Sequence, residues 1–147
     1  MADQITLGRP AELEVAKSGL TAGRVLLAED DTEMRRLLAS ALRNHRYEVI
    51  EATDGKELID QISESLLSGR PVDFIVTDVR MPKLTGIQVM KFIKNAGLDV
   101  PVIIITAFGD HATRIDAFLN GAAAVLDKPF DIDDLMDEVR RLGAGPE

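Results

Sequence analysis

The chain reads as an α/β protein, an open three-layer sandwich in which five parallel strands alternate with five helices. From Arg24 onward, short apolar runs alternate five times with stretches whose apolar residues recur at helical spacing. The central runs are rich in β-branched residues and do not alternate with polar ones, as expected of strands buried on both faces. Four of the runs also end on a polar or charged residue. Parallel strands joined by helices require right-handed crossovers, and five such units suit an open sheet better than a closed barrel.

Each element has its own signal. Val25, Leu26, Leu27 and Ala28 form the first strand, from Arg24 to Ala28. Met34, Leu37, Leu38, Ala41 and Leu42 follow at i, i+3, i+4, i+7 and i+8, an amphipathic helix that Asp31 or Thr32 can cap. Tyr47 to Glu51 is a shorter strand, and Thr53-Asp54-Gly55 opens a second helix whose buried stripe is predicted to be Leu58, Ile59, Ile62 and Leu66. After Gly69 and Pro71, the third strand runs from Asp73 to Asp78. A loop with Met81-Pro82 and Gly86 leads to a helix carrying Val89, Met90 and Ile93, with Asn95-Ala96-Gly97 as its stop. Val100 to Thr106 is the most hydrophobic segment and belongs mid-sheet. Asp110 to Asn120 is helical and ends at Gly121, which suits the left-handed position past a helix terminus. Ala122 to Asp127 is the fifth strand, and a last helix starting near Asp131 buries Ile132, Leu135, Met136, Val139 and Leu142.

With 147 residues, 16.0 kDa and 46% hydrophobic content, the chain fits one core and no second sizeable domain. The net charge of -8 and pI near 4.8 argue against a nucleic-acid or anionic-membrane surface, both of which need clustered Lys and Arg. Protein partners or a cation are the expectation. Without Cys there are neither disulfides nor thiolate metal ligands, so a bound metal is held by oxygen or imidazole. Met1 to Thr21 lacks the pattern of an export signal, and no apolar run spans a bilayer, so a cytoplasmic location is expected. Residues 1–23 read as an extension, with a helix-compatible piece from Ala11 to Ser18 between glycines.

In an open parallel sheet, ligands bind beyond the carboxyl ends of the strands. That edge gathers Glu29 and Asp30, Asp78, Thr106 and Lys128. Close carboxylates repel unless a proton or a cation intervenes, and a hard divalent ion with oxygen ligands such as Mg²⁺ is the natural solution. A strand-end Asp78 can attack phosphorus to give an acyl phosphate, Lys128 can pair with the transferred charge, and the Thr106 hydroxyl can donate to it. Singly, each residue has an ordinary use as a cap, a turn residue or a solvated charge. Their joint order and strand-end placement point to phosphoryl transfer.

The segments LLAEDDTEMRRLL, DFIVTDVRMPKLTG, VPVIIITAFGD and GAAAVLDKPFD resemble the four signature blocks of CheY-like response-regulator receiver domains. The likeness covers about Gly23 to Leu142, which sets the receiver domain at 24–142 and leaves a tail at 143–147. It implies the flavodoxin-like (βα)₅ sandwich with strand order 2-1-3-4-5. It further implies that Asp78 is the phosphoacceptor, that Glu29, Asp30, Asp78 and the Arg80 backbone carbonyl hold Mg²⁺, and that Thr106 and Lys128 are the switch and phosphate-binding residues. The Lys128-Pro129 peptide is expected to be cis. By the same resemblance, the phosphoryl donor is a sensor histidine kinase or phosphotransfer protein. The receiver then catalyses only its own phosphorylation and dephosphorylation, and the surface of the fourth helix, fifth strand and fifth helix signals to an effector.

Departures and variable positions qualify this expectation. Glu29 stands where Asp is commoner. Val125 occupies a position that in many receivers holds an aromatic ring whose rotation reports the movement of the Thr; valine has no ring to swing. Phe108, or the backbone of the loop after Thr106, is the expected substitute. Arg80 and Phe108 also stand at the two positions that modulate dephosphorylation in similar receivers, and their bulk suggests slow hydrolysis. His45 and His111 read as surface residues near helix ends, and the acidic residues from Asp131 to Glu138 as dipole compensation. Arg35 and Arg36 lie on the face that similar receivers turn to the kinase. A haloacid-dehalogenase type phosphatase needs a second Asp where Arg80 stands, and a nucleotide-binding loop does not tolerate Glu29-Asp30-Asp31. The remaining alternatives are a pseudo-receiver that binds partners without phosphorylation, or a receiver excised from a larger transcription regulator or hybrid kinase. The expected assembly is a monomer or a phosphorylation-dependent dimer.

Overall fold

The computed structural model describes residues 21–107 and 109–143. The helical piece expected at Ala11 to Ser18, Phe108 and the end of the tail lie outside these residues. Five parallel strands, β1 (Gly23–Ala28), β2 (Tyr47–Ala52), β3 (Phe74–Asp78), β4 (Val102–Ala107) and β5 (Ala124–Lys128), pair in the order β2-β1-β3-β4-β5. Five helices connect and follow them: α1 (Thr32–Asn44), α2 (Gly55–Leu67), α3 (Gly86–Asn95), α4 (His111–Leu119) and α5 (Ile132–Arg141).

Because successive strand side chains point to opposite faces, the sheet feeds two cores. On one face Leu26, Ile75, Ile104 and Val125 meet Leu58 and Ile62 of α2, Val89, Met90 and Ile93 of α3, and Ala117 of α4. On the other, Val25, Leu27, Phe74, Val76, Ile103 and Ile105 meet Leu38 and Leu42 of α1 and Leu135, Met136 and Val139 of α5. Ile103, Ile104 and Ile105 are each fully buried, so neighbours in sequence stabilise different cores, each by about 1.5–3 kcal/mol. The helices are anchored unequally: α3 buries five residues, whereas α4 buries only Ala117.

Capping follows from side chains at the helix starts. The Asp31 carboxylate accepts from the Met34 N–H, Asp54 from Glu57, and Asp110 from Thr113; Thr85 and Gln88 satisfy each other's backbone N–H groups. Asp31 rather than Thr32 is therefore the cap of α1.

Three expectations are corrected. Leu37 and Leu66 are 55% and 52% exposed rather than part of the buried stripes. In α2 the place is taken by Ser65, since at about 100° per residue the i+7 position lies roughly 20° from Leu58 and the i+8 position roughly 80° away. The fifth strand starts at Ala124 rather than Ala122, because the Ala122 N–H is drawn back to the Ala117 carbonyl in closing α4. Among the described residues, no helix is long and apolar enough to cross a membrane.

Candidate functional site

The carboxyl edge of the sheet brings β1, β3, β4 and β5 to one place. Glu29 follows β1 directly, and its backbone N–H still bonds the Ala52 carbonyl of β2 at 3.1 Å. This holds the residue in sheet geometry and leaves its side chain only 1% exposed. Asp30, one residue on, is exposed. Asp78 ends β3 and is buried, and one carboxylate oxygen from each of Glu29, Asp30 and Asp78 lies within 4.8 Å of the others. Gly86 makes the approach of α3 possible: a Cβ there would stand 2.7 Å from the Asp78 carbonyl oxygen.

Both Asp78 oxygens are engaged. Oδ1 accepts from the Arg80 N–H at 3.1 Å, and Oδ2 accepts from Lys128 Nζ at 2.7 Å. Lys128 Nζ is also 3.4 Å from Glu29 Oε1. Glu29 Oε2 accepts from the Asp31 N–H at 3.1 Å, while Oε1 is buried without a hydrogen bond. Burial pushes the Glu29 carboxyl up to about 7, helped by the nearby Asp78 charge and opposed by the Asp31 N–H and Lys128. Burial pulls Lys128 down, but the hydrogen bond and charge of Asp78, with those of Glu29, outweigh it and leave the ammonium above its usual value. A buried carboxylate oxygen that has only the distant Lys128 ammonium for a partner and no hydrogen bond, beside two further carboxylates, is a donor set that fits a hard divalent cation.

Thr106 is 1% exposed near the end of β4, one step beyond Ile105, the register partner of Asp78. Its own partner on β5 is Asp127, whose carboxylate takes an ion pair from Arg114 of α4 at 2.9 Å. The Arg114 guanidinium lies 5.9 Å from the Phe118 ring centroid. Val125 is buried in the core beneath α2, α3 and α4, paired in register with Ile104. The Lys128-Pro129 peptide is cis. The structure thus brings Glu29, Asp30, Asp78 and Lys128 together, with Thr106 on the adjoining strand. Phe108, named from the sequence as a signalling substitute, lies outside the described residues. His45 closes α1 and His111 opens α4, both exposed.

Two participants were not legible as such. Asp110 caps α4 and also pairs with the exposed Arg80 side chain at 3.3 Å, and hydrogen bonds from Thr113, then Arg80, hold its carboxyl below the usual range. Arg35, expected with Arg36 on the face that similar receivers turn to the kinase, is largely buried: its guanidinium donates to the Glu29 carbonyl at 2.9 Å and to Glu51 at 3.2 Å. A cation in the first turn of a helix opposes the macrodipole, and that was the available signal. Arg36 remains exposed.

Known proteins are similar to this chain in sequence and fold. A response regulator designated MprA from Mycolicibacterium vanbaalenii is 35% identical over 119 residues, covering 81% of this chain and 49% of that protein. The chain therefore spans about half the length of the curated relatives it matches. A response regulator receiver domain protein from Clostridium thermocellum superposes with a TM-score of 0.74 at 28% identity, over 81% of this chain and 92% of that one. The chemotaxis response regulator CheY4 of Vibrio cholerae gives a TM-score of 0.74 at 26% identity, over 83% and 99%. The family described as response regulator receiver domain matches residues 25–140, and with the CheY-like fold and the acidic strand-end cluster in place the chain belongs to that family of two-component signalling proteins.

Proposed function

We propose that the domain, taken as residues 24–142, accepts a phosphoryl group on Asp78 from a phosphohistidine of a sensor histidine kinase or phosphotransfer protein. The observation that carries this reading is the pairing of Asp78 Oδ2 with Lys128 at 2.7 Å, beside a Glu29 oxygen that is buried with no hydrogen bond. Glu29, Asp30, Asp78 and the Arg80 carbonyl are the residues that would hold Mg²⁺. When bound, the ion neutralises these carboxylates and the incoming phosphate oxygens. An Asp78 carboxylate oxygen forms the new O–P bond while the P–N bond to the donor imidazole breaks, its electron pair staying on nitrogen. Lys128 moves its hydrogen bond from the carboxylate to a phosphoryl oxygen, and Thr106 turns its hydroxyl to the same group.

The output runs from the end of β4 to the face of α4, β5 and α5, where Arg114 of α4 pairs with Asp127 of β5, and this is the surface offered to an effector protein or domain. Phosphorylation shifts this face between two packings, in a monomer or by pairing two copies. Arg80, held over the edge by Asp110, slows hydrolysis by limiting water's approach. The net charge of -8 suits work on protein partners, and the location proposed for it is the cytoplasm. A second reading, a pseudo-receiver that binds without phosphorylation, draws support from Val125, which is buried and has no ring to move. Incubation with acetyl phosphate and Mg²⁺ separates the two. A phosphoryl mass increment abolished by Asp78→Asn supports phosphotransfer, and its absence in the parent chain favours the pseudo-receiver.

A further inference from the structure

We propose that Arg35 is a positioning residue for the acidic edge, clamping the main chain of Glu29 so that the buried carboxylate is presented to the cation. This rests on the reading that Glu29, Asp30 and Asp78 hold Mg²⁺. Glu29 is gripped on both sides of its α-carbon: its N–H bonds the Ala52 carbonyl at 3.1 Å, and its C=O accepts from Arg35 Nη1 at 2.9 Å. Helical side chains lean toward the N-terminus, so a residue in the first turn of α1 can reach back over the β1–α1 junction. The fork is fixed in turn, because Arg35 Nε donates to Glu51 Oε1 at 3.2 Å and Glu51 Oε2 pairs with Arg43 at 3.1 Å. Arg43 also donates to the Val49 carbonyl at 3.0 Å. The chain Val49–Arg43–Glu51–Arg35–Glu29 therefore ties β2 and α1 to the site.

Two facts say that this contact serves more than packing. A cation in the first turn works against the helix dipole, so Arg35 is costly to α1 where it stands. What its guanidinium gains is a carbonyl next to the one carboxylate oxygen at the edge that is buried and unbonded, Glu29 Oε1. Glutamate has one more rotatable bond than aspartate and must be aimed more firmly, which a fixed main chain provides. Lysine does not reproduce the role, since a single ammonium lacks the planar fork that bridges a carbonyl and a carboxylate.

The test is Mg²⁺ titration calorimetry on the full chain and on Arg35→Met, Arg35→Lys and Glu51→Gln, with unfolding midpoints and amide hydrogen exchange at Glu29 to Asp31 followed in parallel. Arg35→Met is expected to lose roughly 10-fold in Mg²⁺ affinity and to exchange faster at these amides. Arg35→Lys falls between it and the parent. Glu51→Gln, which removes the charge but keeps an amide oxygen to accept from Arg35 Nε and leaves the bond to the Glu29 carbonyl, stays within roughly a factor of two of the parent affinity. Parent-like affinity in Arg35→Met overturns the proposal, as does an equal loss in Arg35→Met and Glu51→Gln that tracks their unfolding midpoints. A parent chain that binds no Mg²⁺ overturns the underlying reading itself, a result separable because it needs no variant.

Discussion

Lys128 reaches Asp78 across a strand that belongs to neither of them. The two residues pair at 2.7 Å, yet β4 lies between β5 and β3 in the sheet. At about 4.8 Å per strand spacing, the side chain must extend over the end of β4, where Thr106 stands. Residues 50 positions apart in sequence thus meet over the strand end that carries Thr106.

Replacing Lys128 by Met leaves Asp78 and Glu29 buried without their cation. Without Mg²⁺ the variant is expected to lose about 1–3 kcal/mol of stability, with part of the loss recovered when Mg²⁺ is added. Urea unfolding with and without the ion measures both quantities. Equal midpoints for variant and parent in metal-free buffer contradict the prediction.

Glu29 gives the metal-free chain a pH dependence whose sign is opposite to that of an ordinary ion-paired acid. Its folded value near 7 lies above the ordinary 4.5, so the folded state binds the extra proton. The stabilisation is full below about 4.5 and disappears as pH rises through 7, a change of roughly 3 kcal/mol at most. Glu29→Gln should flatten this slope, and Mg²⁺ should flatten it from the alkaline side. Chemical denaturation at intervals from pH 4.5 to 8 reads the slope directly.

Gly86→Ala places a methyl group 2.7 Å from the Asp78 carbonyl and 3.2 Å from Val79 Cα, both backbone atoms. The expected cost is about 1–3 kcal/mol, together with slower phosphorylation by acetyl phosphate as Asp78 is displaced. An unchanged unfolding midpoint shows that the junction has more room than its geometry implies.

Arg80→Ala removes the side chain that leans from the Asp78 loop to Asp110. The phosphorylated variant is expected to lose its phosphoryl group a few-fold faster, as followed by intact mass over time. A slower loss points instead to a role for the guanidinium in hydrolysis.

With valine at 125, the ion pair between Asp127 and Arg114 is a side-chain link from the Thr106 level of the sheet to α4. Beryllofluoride-induced amide shifts in α4 should shrink in Asp127→Asn and in Arg114→Met, and the double variant should lose no more than either single one. Additive losses mean that the two residues act separately.

The strand order came from the resemblance to receiver domains, whereas the parallel sheet and the strand-end placement of the site were legible for one physical reason. Strands buried on both faces are continuous apolar runs, and a parallel sheet puts all their carboxyl ends on one edge. The boundaries that failed depend on tertiary detail. Leu66 was assigned to the core from helical spacing alone, yet the stripe on α2 is centred closer to Ser65. Ala122 was assigned to a strand, although its N–H is needed to end α4. Arg35 escaped because a cation near acidic residues looks like a docking group until its burial is known.

The uneven anchoring of the helices sets an energy scale for signalling. Coupling free energies between sites are typically about 1–3 kcal/mol. Dislodging α3 means exposing five buried residues, among them Val89, Met90 and Ile93, far more than such a sum. Displacing α4 uncovers one alanine and the covered half of Phe118, and exchanges a half-exposed ion pair for water. On the proposed phosphorylation of Asp78, work of this size is enough to relocate one helix and leave the other four as the frame against which its movement is read.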